Sequence, residues 1–314
     1  MNLVYTPAIE RRVALADEAW ALAEASGAAA VIADVGPPVL AALWSPGNGR
    51  RRQEIAARVV AAAEASGDPR LQFSAHHAAC NLAVETAEPV MAARSGARLR
   101  ATARTIGEPR LRWTAGVFDT FEAMMAGHLA EAEALATSNL ELGIQIGAAD
   151  AFTLYAAQYF VIGTFSGRHA ELLPVVEQAM HQNPGALPFR LAYGIVCSAV
   201  GRDAEARRIL RSGMSSGFDA LPVDNLWMTS VIGYAVLAIE LADAAAAAQL
   251  LPVIEPCHHP VRAAAGQAPR HRDARRRGAD VVVRSVRPVP KGWLPQLDRT
   301  HHRTGGEHPS VTRE

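Results

Sequence analysis

Four glycines, Gly27, Gly67, Gly107 and Gly147, stand 40 positions apart, and each closes a stretch rich in Ala, Leu, Glu and Arg. A glycine just past a helix takes the left-handed conformation that ends it, which a residue with a Cβ adopts only at a cost. Equal helical segments with equal stops restrict the chain to a stack of similar units, each packed on its neighbours. The residues around the stops repeat as well. Gly67-Asp68-Pro69-Arg70-Leu71-Gln72-Phe73 matches Gly107-Glu108-Pro109-Arg110-Leu111-Arg112-Trp113, and Glu24-Ala25-Ser26-Gly27 recurs as Glu64-Ala65-Ser66-Gly67. Proline at the first helical position starts the next helix, because the N–H it lacks has no partner there anyway.

A second set of stops falls between the first: Gly127-His128-Leu129-Ala130-Glu131-Ala132, Gly167-Arg168-His169-Ala170-Glu171-Leu172 and Gly201-Arg202-Asp203-Ala204-Glu205-Ala206. Each period therefore holds two helices and two turns. The interval from Gly167 to Gly201 is 34 residues, the tetratricopeptide length. Leu111, Thr114, Phe118, Phe121 and Met125 follow steps of three and four and predict one buried stripe, while strand-like alternation is essentially absent. Helices are predicted over 7–26, 28–44, 50–66, 69–86, 89–106, 109–126, 128–146, 149–166, 168–182, 186–200, 202–216, 222–241 and 243–255. The second must kink or break at Gly36-Pro37-Pro38. The expected fold is all-α: a right-handed α-solenoid of roughly six tetratricopeptide-like helix pairs, period about 40 residues. It occupies residues 1–256, with a disordered C-terminal tail over 257–314.

Charge separates the same two regions. Lys and Arg number 31, twelve of them after Pro256, and Asp and Glu also number 31, five of them after Pro256, so the body carries −7 and the tail +7. A mildly acidic body repels phosphates, which argues against nucleic acid as its partner. Cys80, Cys197 and Cys257 show no paired spacing, so a reducing compartment fits. No apolar signal segment opens the chain, and the longest apolar run, near 231–239, is too short for a bilayer. The expected location is cytoplasmic, with no membrane partner.

The units G-[DE]-P-R-L and G-[RH]-x-A-E-[AL] follow a consistent order along the chain. With them stand Ala42-Leu43-Trp44-Ser45-Pro46-Gly47, and Gly217-Phe218-Asp219-Ala220-Leu221-Pro222 followed by Asn225-Leu226-Trp227. Over about residues 8 to 256 this resembles the C-terminal helical region of large bacterial signalling ATPases. Those proteins join a class III nucleotide cyclase domain or a LuxR-type helix-turn-helix to a P-loop ATPase and a tetratricopeptide-like array. The resemblance implies a signalling or transcriptional context without the catalytic domains. A P-loop needs a lysine after its glycines, and the single lysine of this chain is Lys291, between Pro290 and Gly292. Departure from the family follows Glu255-Pro256-Cys257, where further helix pairs are expected. The chain turns instead to His258-His259-Pro260 and the basic run Arg270 to Arg277, and six of the 11 histidines lie beyond Cys257. This reads as a reading-frame shift or a degenerate end, with a genuine basic tail as the competing reading.

Candidate chemistry is sparse. His76, His77 and Cys80 are the most suggestive metal-ligating group, with His76 and Cys80 one helical turn apart, but a site needs about three or four ligands and no further one lies near in sequence. Glu131 and Glu133, or Asp203 and Glu205, point in different directions on a helix and fit solvated helix-start charges better than an acid–base pair. The chain is read as lacking a nucleophile elbow, an H-E-x-x-H helix and a G-x-G-x-x-G fingerprint. No cofactor and no metal is implied, and catalysis is not expected. Aromatic residues recur near the start of the first helix of each unit, the helix that commonly lines the concave side of such arrays. Phe73, His77, Trp113, Phe152, Tyr155 and Tyr159 are the candidates for a concave binding surface, against the plainer alternative that they pack one repeat on the next. The Arg270–Arg277 cluster could hold nucleic acid or anionic lipid, though without the interleaved aromatics of a base-stacking surface.

The leading expectation is a regulatory scaffold that recognises a protein partner, including a separately encoded signalling ATPase, cyclase or regulator. Two other readings stand beside it: an array that senses a small molecule and acts on a transcriptional regulator, and a truncated fragment without independent function. With no capping helix evident after 243–255, self-association through the last repeat is also expected.

Overall fold

In a computed structural model, residues 9–255 are described, except Pro46 and Ala87. They form thirteen α-helices: α1 (Ile9–Ser26), α2 (Ala29–Ala42), α3 (Gly49–Ser66), α4 (Pro69–Glu85), α5 (Pro89–Ile106), α6 (Pro109–Met125), α7 (Leu129–Gln145), α8 (Ala151–Phe165), α9 (His169–Gln182), α10 (Leu187–Ala199), α11 (Asp203–Ser216), α12 (Trp227–Glu240) and α13 (Ala244–Ile254). A single 3₁₀ turn, Phe218–Ala220, lies between α11 and α12, and no strand occurs among the described residues. The expectations for 257–314, disorder or a shifted frame, lie outside the described residues.

Packing is sequential. Each helix lies against the next, and the substantial contacts beyond that reach one place further: α2 with α4, α6 with α8, α10 with α12 and α11 with α13. The core follows the same rule. Trp20, Val39, Leu43, Ile55, Val59 and Leu82 join α1 to α4, whereas Leu172, Leu191, Val196, Leu210, Tyr234 and Leu250 join α9 to α13. A core divided into successive patches is what results when units bury their faces only against neighbours.

The repeated motifs now have physical causes. Gly27, Gly67, Gly107 and Gly147 all have positive φ, between 63° and 77°, and a Cβ there would touch nothing, so backbone conformation alone demands glycine. In Glu-Ala-Ser-Gly the serine bridges the turn. Ser26 Oγ donates to Ala23 O at 2.6 Å and accepts from Ala28 N at 3.2 Å. Ser66 repeats both bonds with Ala63 and Asp68. The Asp68 carboxylate caps α4 by accepting from Arg70 N at 2.7 Å. Glu108, at the matching position, makes no cap bond and instead pairs with Arg70, tying the start of one unit to the start of the next.

Three expectations change. Of the kink or break expected in α2, the break does not occur, since Pro37 and Pro38 lie inside one helix. Each proline forfeits a backbone hydrogen bond, but Gly36 lets the helix close onto Val59 of α3, whose Cγ1 lies 2.9 Å from where a Cβ would be. Ala33, Val39, Leu40 and Leu43 are buried in the same contact. Second, α12 begins at Trp227 rather than 222, because Asp224 forms a turn in which its carboxylate accepts from Leu226 N at 2.8 Å. Third, of the stripe on α6 only Phe118 is buried. Leu111, Thr114, Phe121 and Met125 are half-buried, while Trp113, Ala115, Thr120 and Ala123 complete the buried face.

Candidate functional site

The six aromatic candidates fall into two groups. Phe73 on α4 and Trp113 on α6 are buried, at 7% and 4% exposure, and serve packing between units. Trp113 Nε1 lies 2.6 Å from where a Cβ on Gly143 of α7 would sit, so the indole fills a hole that only glycine leaves. His77 is half-buried between Phe73, with ring centroids 6.4 Å apart and stacked, and Phe118, edge-on at 5.5 Å. Burial lowers its pKa, which favours the neutral ring.

Phe152, Tyr155 and Tyr159 on α8 form the second group, and all three are half-buried. Their spacing puts them on one helix face. Tyr155 stacks on Tyr159 at 5.4 Å, and Phe152 meets Tyr155 at 6.5 Å. The Arg168 guanidinium lies 5.9 Å from the centre of the Tyr159 ring, while its two terminal nitrogens bond the two carboxylate oxygens of Glu133 on α7. Burial, with the neighbouring Tyr159 and Glu133, raises the Tyr155 phenol above its ordinary value. The result is an aromatic ladder closed at one end by a fixed cation.

The Arg168 arrangement recurs 34 residues later and explains the Gly-Arg-x-Ala-Glu motif. Arg202 lies 5.8 Å from the centre of the Tyr193 ring, nine residues earlier, as Arg168 lies over Tyr159 nine residues earlier. Arg202 also donates to the Tyr193 hydroxyl at 3.0 Å and to Glu205 at 2.7 Å, as Arg168 bonds Glu171 at 3.2 Å. Sequence reasoning found the motif without the tyrosine, although the signal, Tyr-x₈-Arg-x₂-Glu, is present twice.

The suggested metal group does not converge. His76 is buried and its Nε2 lies 3.1 Å from Glu64 Oε1 on α3, an oxygen that Arg98 of α5 also approaches, at 2.9 Å. His77, the next residue, faces Phe118 of α6. Cys80 is buried, and burial aided by Glu122, against the opposing charge of Arg100, pushes its thiol up to about 12. Among the described residues no group of three or more His, Cys, Asp or Glu could hold a metal ion.

One motif was missed. Gly213-Met214-Ser215-Ser216-Gly217 has the G-x-S-x-G spacing, contrary to the expectation from sequence. A nucleophile elbow presents its serine at a strand-to-helix turn. Here the segment is the last turn of α11, Ser215 Oγ donates to Ser212 O at 3.0 Å, and no strand precedes it. The spacing comes from a helix end, and the elbow geometry is absent.

Among the described residues no helix is long and apolar enough to cross a membrane. No family model, no curated protein and no solved structure matches the chain. The thirteen helices packed sequentially in pairs thus define an all-α, helical-repeat-like architecture, and any kinship with signalling ATPases rests on sequence motifs alone.

Proposed function

We propose that this chain is a non-catalytic, cytoplasmic scaffold, a right-handed solenoid of tetratricopeptide-like pairs that binds a protein partner along its inner helices. α8 carries this reading. Its ladder Phe152–Tyr155–Tyr159 is half-buried and fixed by Arg168 and Glu133, so the rings are held in place before any ligand arrives. Rigid aromatics with a polar rim are the usual anchors of protein interfaces. The order of the repeat motifs favours the regulatory arm of signalling ATPases, cyclase fusions or LuxR-type regulators as the functional context. Self-association would compete for exposed apolar side chains at the C-terminal end of the described array, such as Met228 and Ile232 on α12.

A photo-crosslinking amino acid placed at Tyr155, and separately at the exposed Arg104 on α5, tests the reading in cells of the native host. A discrete protein adduct from position 155 alone, lost on Tyr159→Ala, supports it. Equal adducts from both positions, or none from 155, would refute it.

A further inference from the structure

A cleft of about 280 Å³ opens between α9, α10 and α11, lined by Met180, Arg190, Tyr193, Arg208, Ile209 and Ser212. A second hollow of about 260 Å³ adjoins it, sharing Arg190 and Ser212 and reaching Tyr234 of α12. Together they approach the size of an ordinary small-molecule pocket. The cleft's lining is mixed: Met180, Ile209 and Tyr193 stand with Arg190, Arg208 and Ser212.

The two arginines are uncommitted. Other arginines of the body pair with a carboxylate, as Arg168 does with Glu133 and Arg202 with Glu205. Arg190 and Arg208 make no hydrogen bond or ion pair with the described residues. Their charges act only at longer range, Arg208 on Glu205 and Arg190 on Tyr234. The acids that face this region are Glu205, already bound by Arg202, and Glu177 of α9, whose field reaches Tyr193 and Cys197. The local charge is also inverted. From Leu187 to Gly217 the chain carries five arginines and two acids, within a body of net −7.

We infer that this cleft binds a small organic phosphate, with the phosphoryl group between Arg190 and Arg208 and its organic part against Met180, Ile209 and Tyr193. Two guanidinium groups match a dianion, and each offers a planar fork of donors suited to phosphate oxygens. The Ser212 hydroxyl adds a neutral donor. A monocarboxylate would leave one arginine without a counter-charge, so phosphate is the better fit. This site is separate from the α8 ladder, and neither proposal depends on the other.

The test is calorimetric titration of the full chain with phenyl phosphate, inorganic phosphate, phenol and a phosphotyrosine peptide, repeated on Arg190→Ala, Arg208→Ala and Arg211→Ala. Arg211 is an exposed arginine on the same helix that does not line the cleft. The expected result is saturable binding of phenyl phosphate that weakens with salt. Loss of either cleft arginine should reduce affinity about tenfold or more, the usual scale for a charged hydrogen bond. Arg211→Ala should bind as the parent does, and inorganic phosphate should bind more weakly than phenyl phosphate. Absence of binding overturns the proposal, as does an equal loss from Arg211→Ala. Equal affinity for inorganic phosphate removes the role of the apolar wall, and tighter binding of the peptide moves the ligand to a protein; either outcome refutes a small organic phosphate. Circular-dichroism melts of all three variants confirm that these exposed substitutions leave the fold intact.

Discussion

Replacing Gly163 with alanine asks the α8–α9 pair to accept a methyl group where Leu172 already sits. A Cβ at Gly163 would lie 2.9 Å from Leu172 Cγ and closer still to Cδ2, and Leu172 is fully buried. Overpacking of this kind costs about 1–3 kcal/mol, while alanine in place of glycine within a helix returns about 1 kcal/mol, leaving a net loss of about 0–2 kcal/mol. Leu172→Ala alone removes a buried leucine and leaves a cavity, at about 2–5 kcal/mol. If leucine and glycine are knob and hole, the double variant puts the new methyl into the space the leucine vacated. Its loss should then be smaller than the sum of the single losses by about 1 kcal/mol or more, within the range seen for contacting residues. Urea unfolding followed at 222 nm on the four proteins gives the cycle, with equal m-values allowing midpoints to be read as free energies. Additivity within about 0.5 kcal/mol would show that the two residues are independent, and the account of pair packing by glycine holes would fail.

Three further outcomes are expected. Burial lowers the His77 pKa, so between that lowered value and its ordinary 6.5 the unfolded chain binds a proton that the native one does not. Stability should therefore fall as pH drops through about 6.5, and His77→Phe should flatten that part of a plot of Tm against pH; an unchanged slope contradicts the placement. Arg52 is buried, bonds Leu40 O at 3.2 Å, pairs with Glu85 and lies 5.2 Å from the centre of the Trp44 ring. Arg52→Ala should cost about 3–5 kcal/mol in urea unfolding, and a cost under about 1 kcal/mol would mean the guanidinium is solvated. With its pKa pushed up to about 12, the Cys80 thiol is about 10⁻⁴ ionised at pH 8. Alkylation of Cys80, followed by mass spectrometry, should be about a thousandfold slower in the native protein than in urea, and equal rates would contradict its burial.

Much of the helix plan was legible in residues whose role is local. Gly67 and Gly107 mark stops because φ there is positive whatever surrounds them, and Pro69 and Pro109 mark starts for the same local reason. Readings that failed depend on neighbours distant in sequence. Pro37 and Pro38 leave a break as open as a kink until Gly36 is seen to admit Val59 within one helix. The rungs Asp17–Arg51, Glu24–Arg58 and Glu64–Arg98 each span 34 residues while the glycines repeat at 40, so the ion pairs do not follow the period of the stops. The aromatic candidates show the same limit. Phe73 and Trp113 stand at matching positions of their units, and the burial of Trp113 depends on the space that Gly143 leaves opposite it. Arg190 and Arg208 carried no motif, since only the packing of α10 on α11 brings them to one cleft.

Hydrogen exchange of the intact chain, read by mass spectrometry peptide by peptide, tests the central claim most directly. The account predicts protection over the thirteen helices, interrupted at the Gly27, Gly67, Gly107 and Gly147 turns and across Pro222–Leu226. Continuous protection through those turns, or immediate exchange throughout α8 and α9, would contradict an array of helix pairs ended by left-handed glycines.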